Sequence, residues 1–304
     1  MSRIHEALKK AAQERSSRLS SGTLEDIVDV ATDVSRTTVL ADDRASPLLA
    51  DLPPEENSPL CFDELVKKCA HSQWQLDSRI DVFHAANSNQ AGAESFRTLR
   101  SRLSQIAGTR QLKSILVTSS IPEEGKTFVA ANLAQSIARQ DHRRVLLIDA
   151  DLRMSRLHQA LGAPVTPGLT EYLRGEADES AVMQRGLEGN LCFIASGGPV
   201  ANASELLLGA RMKRLLDRVT PVFDWLVLDS PPALPVHDAS LLADLCDGVL
   251  FVVRAGETDF ESAEKASSEF RDKNLLGVVL NRVEKNESYG GYYYGYPAAE
   301  KEKI

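Results

Sequence analysis

From about residue 78 onward the chain repeats one pattern: a short, continuous apolar run followed by a longer stretch of helical period. The apolar runs are Ser114–Thr118, Val145–Ile148, Leu191–Ala195, Trp225–Leu228, Gly248–Val253 and Gly277–Leu280. Between them lie helical windows at Ala93–Ile106, Lys126–Arg139, Ala203–Val219, Ala239–Leu245 and Phe260–Lys273. A strand that is apolar at every position must be covered on both faces, and strands separated by helices pair in parallel. The expected fold class is therefore α/β, a parallel sheet with helices on both faces. Arg79–Phe83 is expected to add an edge strand. No run approaches the roughly 18 apolar residues of a membrane-spanning helix, and the N-terminus lacks the apolar core of a signal peptide. Four widely spaced cysteines without a Cys-x-x-Cys pair read as reduced thiols of a cytoplasmic protein.

The strand at Ser114–Thr118 runs into Ser-Ser-Ile-Pro-Glu-Glu-Gly-Lys-Thr and then a helix. From Ser120 this matches the phosphate-loop pattern G-x-x-x-x-G-K-[ST], with Ser120 in place of the first glycine. Backbone N–H groups and the positive end of the following helix would face phosphate oxygens. Ser120, Glu124, Gly125, Lys126, Thr127 and Phe128 are the candidate nucleotide contacts, with Lys126 as the cation and the Thr127 hydroxyl as a ligand for Mg²⁺. Two further apolar strands end in carboxylates, at Asp149 and Asp151 and at Asp229. Carboxylates at the C-terminal ends of parallel strands lie where such sheets bind ligands, and one or two of them suit Mg²⁺. The candidate catalytic set is Lys126, Asp149, Asp151 and Asp229; the candidate metal set is Thr127, Asp149 and Asp229. The histidines show no ligand spacing.

This three-part set, a phosphate loop, Asp-x-Asp after the next strand and Asp-x-x-Pro after a third, resembles the bacterial tyrosine kinases of capsule and exopolysaccharide synthesis over about residues 74–296. It is similar also to the P-loop ATPases of division-site placement and chromosome partitioning. The resemblance implies a P-loop NTPase core of the deviant Walker A/Walker A′, partitioning-ATPase-like type, with ATP and Mg²⁺ as cofactors. It makes Asp149 the metal-associated base for a tyrosine hydroxyl, Asp151 the second Walker A′ aspartate, Asp229 the Walker B aspartate and Asn281 an adenine contact. Glu123 stands where the family usually has a glycine. The partitioning relatives carry a signature lysine early in the loop, where this chain has Ser120 and Ile121, which favours the kinase branch. The alternative is a non-kinase ATPase switch that positions machinery through ATP-dependent dimerisation.

Five of the six tyrosines, Tyr289, Tyr292, Tyr293, Tyr294 and Tyr296, fall within residues 289–296, interleaved with glycine. Glycine packs nothing in a strand, so the segment reads as a flexible tail: a set of phospho-acceptors, or a sticky aromatic terminus. The resemblance favours acceptors, used in trans within an oligomer. Glu94, Arg97 and Arg100 lie three apart on one helix. They form either a solvated stripe or, by resemblance, the family's ring-forming motif. Arg153 and Arg156 could bind phosphate or the acceptor segment, or be surface charges.

Formal net charge is −8, which argues against nucleic acid as a main partner, but the charge is uneven. Residues 21–60 carry nine acidic and two basic side chains, and residues 1–20 are basic, with an amphipathic period over Ile4, Leu8 and Ala11. The expected organisation is a basic helix over 1–20, an acidic linker over 21–75, the catalytic domain over 76–284 and the tail over 285–304. The helix is a frayed terminus, or a docking element for a partner or an anionic membrane. The resemblance implies a separate membrane-embedded polysaccharide co-polymerase as activator, a cognate tyrosine phosphatase, and peripheral recruitment to the inner face of the membrane.

Overall fold

The computed structural model describes residues 60–72, 74–78, 80–83, 90–186 and 190–283. The basic segment, nearly all of the acidic stretch and the five clustered tyrosines lie outside the described residues. The elements in chain order are α1 (Phe62–Lys68), β1 (Ala70–His71), α2 (Gln90–Ala107), β2 (Ser114–Ser119), α3 (Lys126–Ala138), β3 (Val145–Asp149), α4 (Leu157–Leu161), α5 (Leu169–Arg174), α6 (Glu179–Val182), β4 (Met183–Arg185), β5 (Leu191–Ile194), α7 (Ala203–Leu208), α8 (Ala210–Val219), β6 (Trp225–Asp229), α9 (Asp238–Ala243), β7 (Gly248–Arg254), α10 (Phe260–Ser268) and β8 (Leu275–Asn281).

The strands form one sheet in the order β1-β4-β5-β3-β6-β2-β7-β8. Every neighbouring pair is parallel except β4 with β5. Each central strand divides its apolar residues between two cores. Leu116, Leu146, Ile148, Leu226, Leu228 and Phe251 face a layer that includes α1, α5, α7, α8, α9 and α10. Ile115, Val117, Leu147, Val227 and Val252 face α2, α3 and α4. This two-sided burial is the reason the strands read as continuous apolar runs.

Three expectations are corrected. Residues 80–83 form a turn, not an edge strand. Its backbone groups are engaged elsewhere: Ile80 N and Asp81 N donate to Asp77 O, Phe83 N donates to Asp81 Oδ1, and the Asn132 side chain on α3 accepts Val82 N at 3.0 Å and donates to Ile80 O at 2.9 Å. A segment whose amides are already engaged has none to offer a ladder. The N-terminal edge of the sheet is instead β1, from within the stretch expected to be linker. Folded structure starts before residue 75, because Leu65, Cys69 and Trp74 are buried in the two cores. The window Ala203–Val219 is two helices, broken at Gly209, whose ψ of 152° is extended.

Candidate functional site

The phosphate loop leaves β2 at Ser119 and enters α3 at Lys126, a 13-residue helix whose N-terminal backbone faces the strand ends. Two of its residues have left-handed backbone, Gly125 at φ 95° and Glu123 at φ 67°. The glycine is required: a Cβ there would lie 2.0 Å from Asn281 Nδ2. Glu123, standing where a glycine was expected from the resemblance, adopts the conformation glycine takes without penalty. For a side-chain-bearing residue this costs about 1–2 kcal/mol.

Glu124 locks the loop from inside. Its carboxylate accepts Ile121 N at 2.7 Å and the Thr258 hydroxyl, and its carbonyl accepts Asn281 Nδ2 at 2.8 Å. Burial pushes its pKa up against these hydrogen bonds. The Asn281 Oδ1 accepts Arg282 N, so both ends of this amide are engaged by backbone. In this structure Asn281 ties the end of β8 to the phosphate loop. Phe128, one turn into α3, packs edge-to-face on Phe96 of α2 at 5.7 Å.

Parallel pairing of β3 with β6 sets Asp149 directly opposite Asp229. Both are almost wholly buried, at 0% and 1% exposure. Burial, then the neighbouring Asp229, pushes the Asp149 pKa up to about 8, against the Ser155 hydrogen bond. Burial also pushes Asp229 up, to about 6, opposed by Lys126 and by a hydrogen bond with Thr127. Asp151 is bonded to the loop cation, with Lys126 Nζ 3.1 Å from its Oδ2. Burial disfavours the charge on Lys126, but Asp229, Asp151 and Asp149 outweigh it and hold the ammonium above its ordinary range. Lys126, Asp149, Asp151 and Asp229 therefore form one electrostatically linked cluster beside the N-terminus of α3.

The donors suit a hard dication in part of this cluster. Asp229 Oδ1 is buried with no hydrogen-bond partner, and the Thr127 hydroxyl is bonded to the same side chain. An open carboxylate oxygen beside a hydroxyl, with phosphate oxygens completing the shell, fits the way Mg²⁺ is held at nucleotide sites. Asp149 differs, since its Oδ1 accepts Asp151 N and its Oδ2 accepts the Ser155 hydroxyl. Among the described residues no group of three or more His, Cys, Asp or Glu side chains forms a ready-made metal cage.

Arg153 is held in an ion pair and is not a free surface charge. Its Nε and Nη2 reach the two Asp238 oxygens at 2.7 and 3.2 Å, and Nη2 also donates to Ser204 Oγ at 2.8 Å. Arg156, the residue before α4, is exposed. The stripe on α2 is divided. Glu94 and Arg97 pair on the exposed face at 3.0 Å, whereas Arg100 turns inward to the Ser136 carbonyl at 2.6 Å. These three lie on the α2 side of the sheet. Sequence reasoning missed Thr258, Asp238, Ser155 and His158. None has a local signature: Thr258 and Asp238 meet partners remote in sequence, and Ser155 and His158 follow Asp149 at a spacing that marks no known motif.

Among known protein families, residues 115–296 match the CobQ/CobB/MinD/ParA nucleotide binding domain. The tyrosine-protein kinase YwqD of Bacillus subtilis is 37% identical over 207 residues, covering 67% of this chain and 86% of that protein. The succinoglycan biosynthesis transport protein ExoP of Rhizobium meliloti is 34% identical over 214 residues. That match covers 69% of this chain but only 27% of the relative's length. Among solved structures, the kinase domain of the Escherichia coli tyrosine kinase ETK superposes with a TM-score of 0.61 at 32% identity, covering 69% of this chain and 84% of that one.

Proposed function

The chain belongs to the bacterial tyrosine-protein kinases, built on the CobQ/CobB/MinD/ParA nucleotide binding domain, and on that premise we propose that it is an autokinase. It transfers the γ-phosphoryl group of ATP to its own tyrosines at 289–296, in trans within an oligomer. The observation that carries the reading is the convergence of Lys126, Asp149 and Asp229 at the strand ends beside α3, with one Asp229 oxygen left open.

Transfer of a phosphoryl group is mainly a matter of positioning and of stabilising charge. Backbone N–H groups of the loop and the N-terminus of α3 hold the phosphates. Lys126 gives up its contact with Asp151 and pairs with the transferring group. Thr127 and Asp229 would hold Mg²⁺, which supplies charge neutralisation on the phosphate oxygens. Asp149, whose raised pKa makes it a stronger base than an ordinary carboxylate, acts in its ionised form: it orients the incoming tyrosine hydroxyl and takes its proton as the tyrosine oxygen bonds to the γ-phosphorus and the bond from that phosphorus to the bridging oxygen breaks, releasing ADP. Glu124 and Asn281 keep the loop in its binding shape.

At the level of the cell, the chain regulates exopolysaccharide or capsule polymerisation or export, as the name of ExoP suggests for that relative. No helix among the described residues is long and apolar enough to cross a membrane, and a membrane-embedded co-polymerase recruits the chain through its basic N-terminal segment. Exposed Glu94 and Arg97 contribute to the contact between subunits. Incubation of the full chain with labelled ATP, followed by phosphopeptide mapping, tests the catalytic reading. Label on the tail tyrosines that disappears in Lys126→Met and Asp149→Ala is the expected result. Free phosphate with no protein label would replace the kinase with an ATPase switch.

A further inference from the structure

Asp149 is held from behind by a chain of two side chains. The Ser155 hydroxyl donates to Asp149 Oδ2 at 2.6 Å, and the same oxygen lies 3.0 Å from His158 Nδ1. A serine hydroxyl has one proton, and with Asp149 ionised, the form in which it serves as base, that proton is given to the carboxylate. The nitrogen facing Ser155 must then be the one that carries hydrogen, which fixes the imidazole as its Nδ1–H form. Burial lowers the pKa of His158, in keeping with a neutral ring that has a single N–H to offer.

The local backbone is shaped to make this chain. Asp151 Oδ1 accepts Arg153 N at 3.3 Å and Met154 N at 2.9 Å, a tight turn that brings the chain back toward β3 just before Ser155. Helix α4 follows at once, anchored by Leu157 and Leu161, both fully buried, and carries His158 in its first turn. Arg153, two residues before Ser155, is clamped to buried Asp238. The segment from Asp149 to His158 is thus fixed at both sides, and Ser155 and His158 within it are linked in series to the buried carboxylate.

We propose that Ser155 and His158 are a positioning pair for Asp149. Ser155 fixes the rotamer of the carboxylate, and His158 fixes the rotamer of Ser155, so that the carboxylate meets the acceptor in one orientation. The inference rests on the reading of Asp149 as the group that orients the acceptor. Neither positioning side chain is assigned any contact with nucleotide or acceptor. A carboxylate released from such a hold still leaves the nucleotide site intact, so the loss falls on turnover and spares ATP binding. Misorientation of a reacting group by about 1 Å lowers rates by roughly 100-fold.

The test is steady-state phosphorylation by the full chain, with nucleotide affinity measured separately on a fluorescent ATP analogue. Ser155→Ala is expected to lower kcat roughly 10- to 100-fold, with KM and Kd for nucleotide within about twofold of the parent. Ser155→Thr, which keeps the hydroxyl, restores most of the rate. His158→Ala lowers kcat, and His158→Asn, whose amide nitrogen can donate from about the position of Nδ1, recovers part of it. The double variant Ser155→Ala/His158→Ala is no slower than Ser155→Ala alone, because the two act as one unit. Parental kcat in Ser155→Ala, a parallel loss of nucleotide affinity, or multiplicative effects in the double variant would each overturn the proposal. If the parent releases phosphate without labelling tyrosine, the autokinase reading fails by itself. The same variants are then scored on phosphate release, where unchanged kcat overturns the pairing and the expected pattern upholds it.

Discussion

The ion pair between Arg153 and Asp238 is asymmetric, and the asymmetry predicts which partner the protein can least do without. The Asp238 side chain is 0% exposed, whereas that of Arg153 is 37% exposed. Arg153→Met removes two of the hydrogen bonds Asp238 accepts and leaves the Ser204 hydroxyl at 2.6 Å as its remaining side-chain donor. A buried carboxylate stripped of its cation costs about 3–5 kcal/mol. The surviving Ser204 contact puts this case near the lower end, about 3 kcal/mol. Asp238→Asn leaves a guanidinium that can turn to water and an amide oxygen that still accepts, a loss of about 1–1.5 kcal/mol. The assay is urea unfolding of nucleotide-free protein in chelator, followed by fluorescence of the buried Trp74 and Trp225. The pH dependence adds a second check. Burial works to raise the Asp238 pKa, but Arg153, Ser204 and His237 outweigh it and hold the carboxyl below its usual range. Arg153→Met removes the largest of the influences opposing burial, so the carboxyl takes up a proton more readily than in the parent. The cost of the substitution therefore shrinks as pH falls from 7 toward 4. Equal costs for the two variants, or a larger one for Asp238→Asn, would refute the reasoning.

Asp149 keeps its proton in the folded state up to about pH 8 in the absence of ligands, while the unfolded chain releases it near 3.8. Folding stability therefore falls as pH rises across that interval, and Asp149→Asn escapes the loss. In chelator, the Tm of Asp149→Asn minus that of the parent should grow up to about pH 8 and then level off; a constant difference would contradict the assignment. Gly125→Ala should destabilise by about 2–3 kcal/mol, from its left-handed φ and from displacement of Asn281 off the Glu124 carbonyl. The same substitution should weaken nucleotide binding. Glu123→Gly, at φ 67°, should be neutral or stabilising by up to about 1 kcal/mol, read by the same urea titration. Each phosphotyrosine adds roughly −1.5 to −2 charges, so the fully phosphorylated chain should form smaller assemblies by light scattering than the chain with all five tail tyrosines replaced by Phe. Identical sizes would sink the idea of charge-driven release.

The sheet and the site's centre were legible because they are written locally. An apolar run ending in Asp149 and another ending in Asp229 carry their own strand signal, and Gly-Lys-Thr at a strand-to-helix junction carries its own geometry. Parallel pairing then brings the two aspartates face to face with no further information. What was not legible depends on partners far along the chain. Arg153 meets Asp238 across 85 positions, and no local pattern distinguishes it from a surface charge such as Arg156. The turn at residues 80–83 has strand-like composition, yet Asn132, some 50 positions away, takes its Val82 amide and Ile80 carbonyl. Helix α1 is seven residues long in a stretch otherwise rich in acid and proline. Its helical state depends on burying Leu65 and on the edge-to-face packing of Phe62 against Phe223 at 5.6 Å. Asn281 shows the same limit within the site, since its hold on the Glu124 carbonyl spans 157 positions and has no local signature.

Transfer between chains is the most direct measure of the central claim. A full chain carrying Lys126→Met but an intact tail is mixed with a chain that keeps its site and has Phe at 289, 292, 293, 294 and 296. Labelled ATP is added, and the two are separated by a mass tag. The account predicts label on the tail tyrosines of the Lys126→Met chain and none on either chain incubated alone. Absence of label in the mixture, under conditions where the parent chain labels its own tail, would contradict phosphoryl transfer from this site to a neighbour's tyrosines.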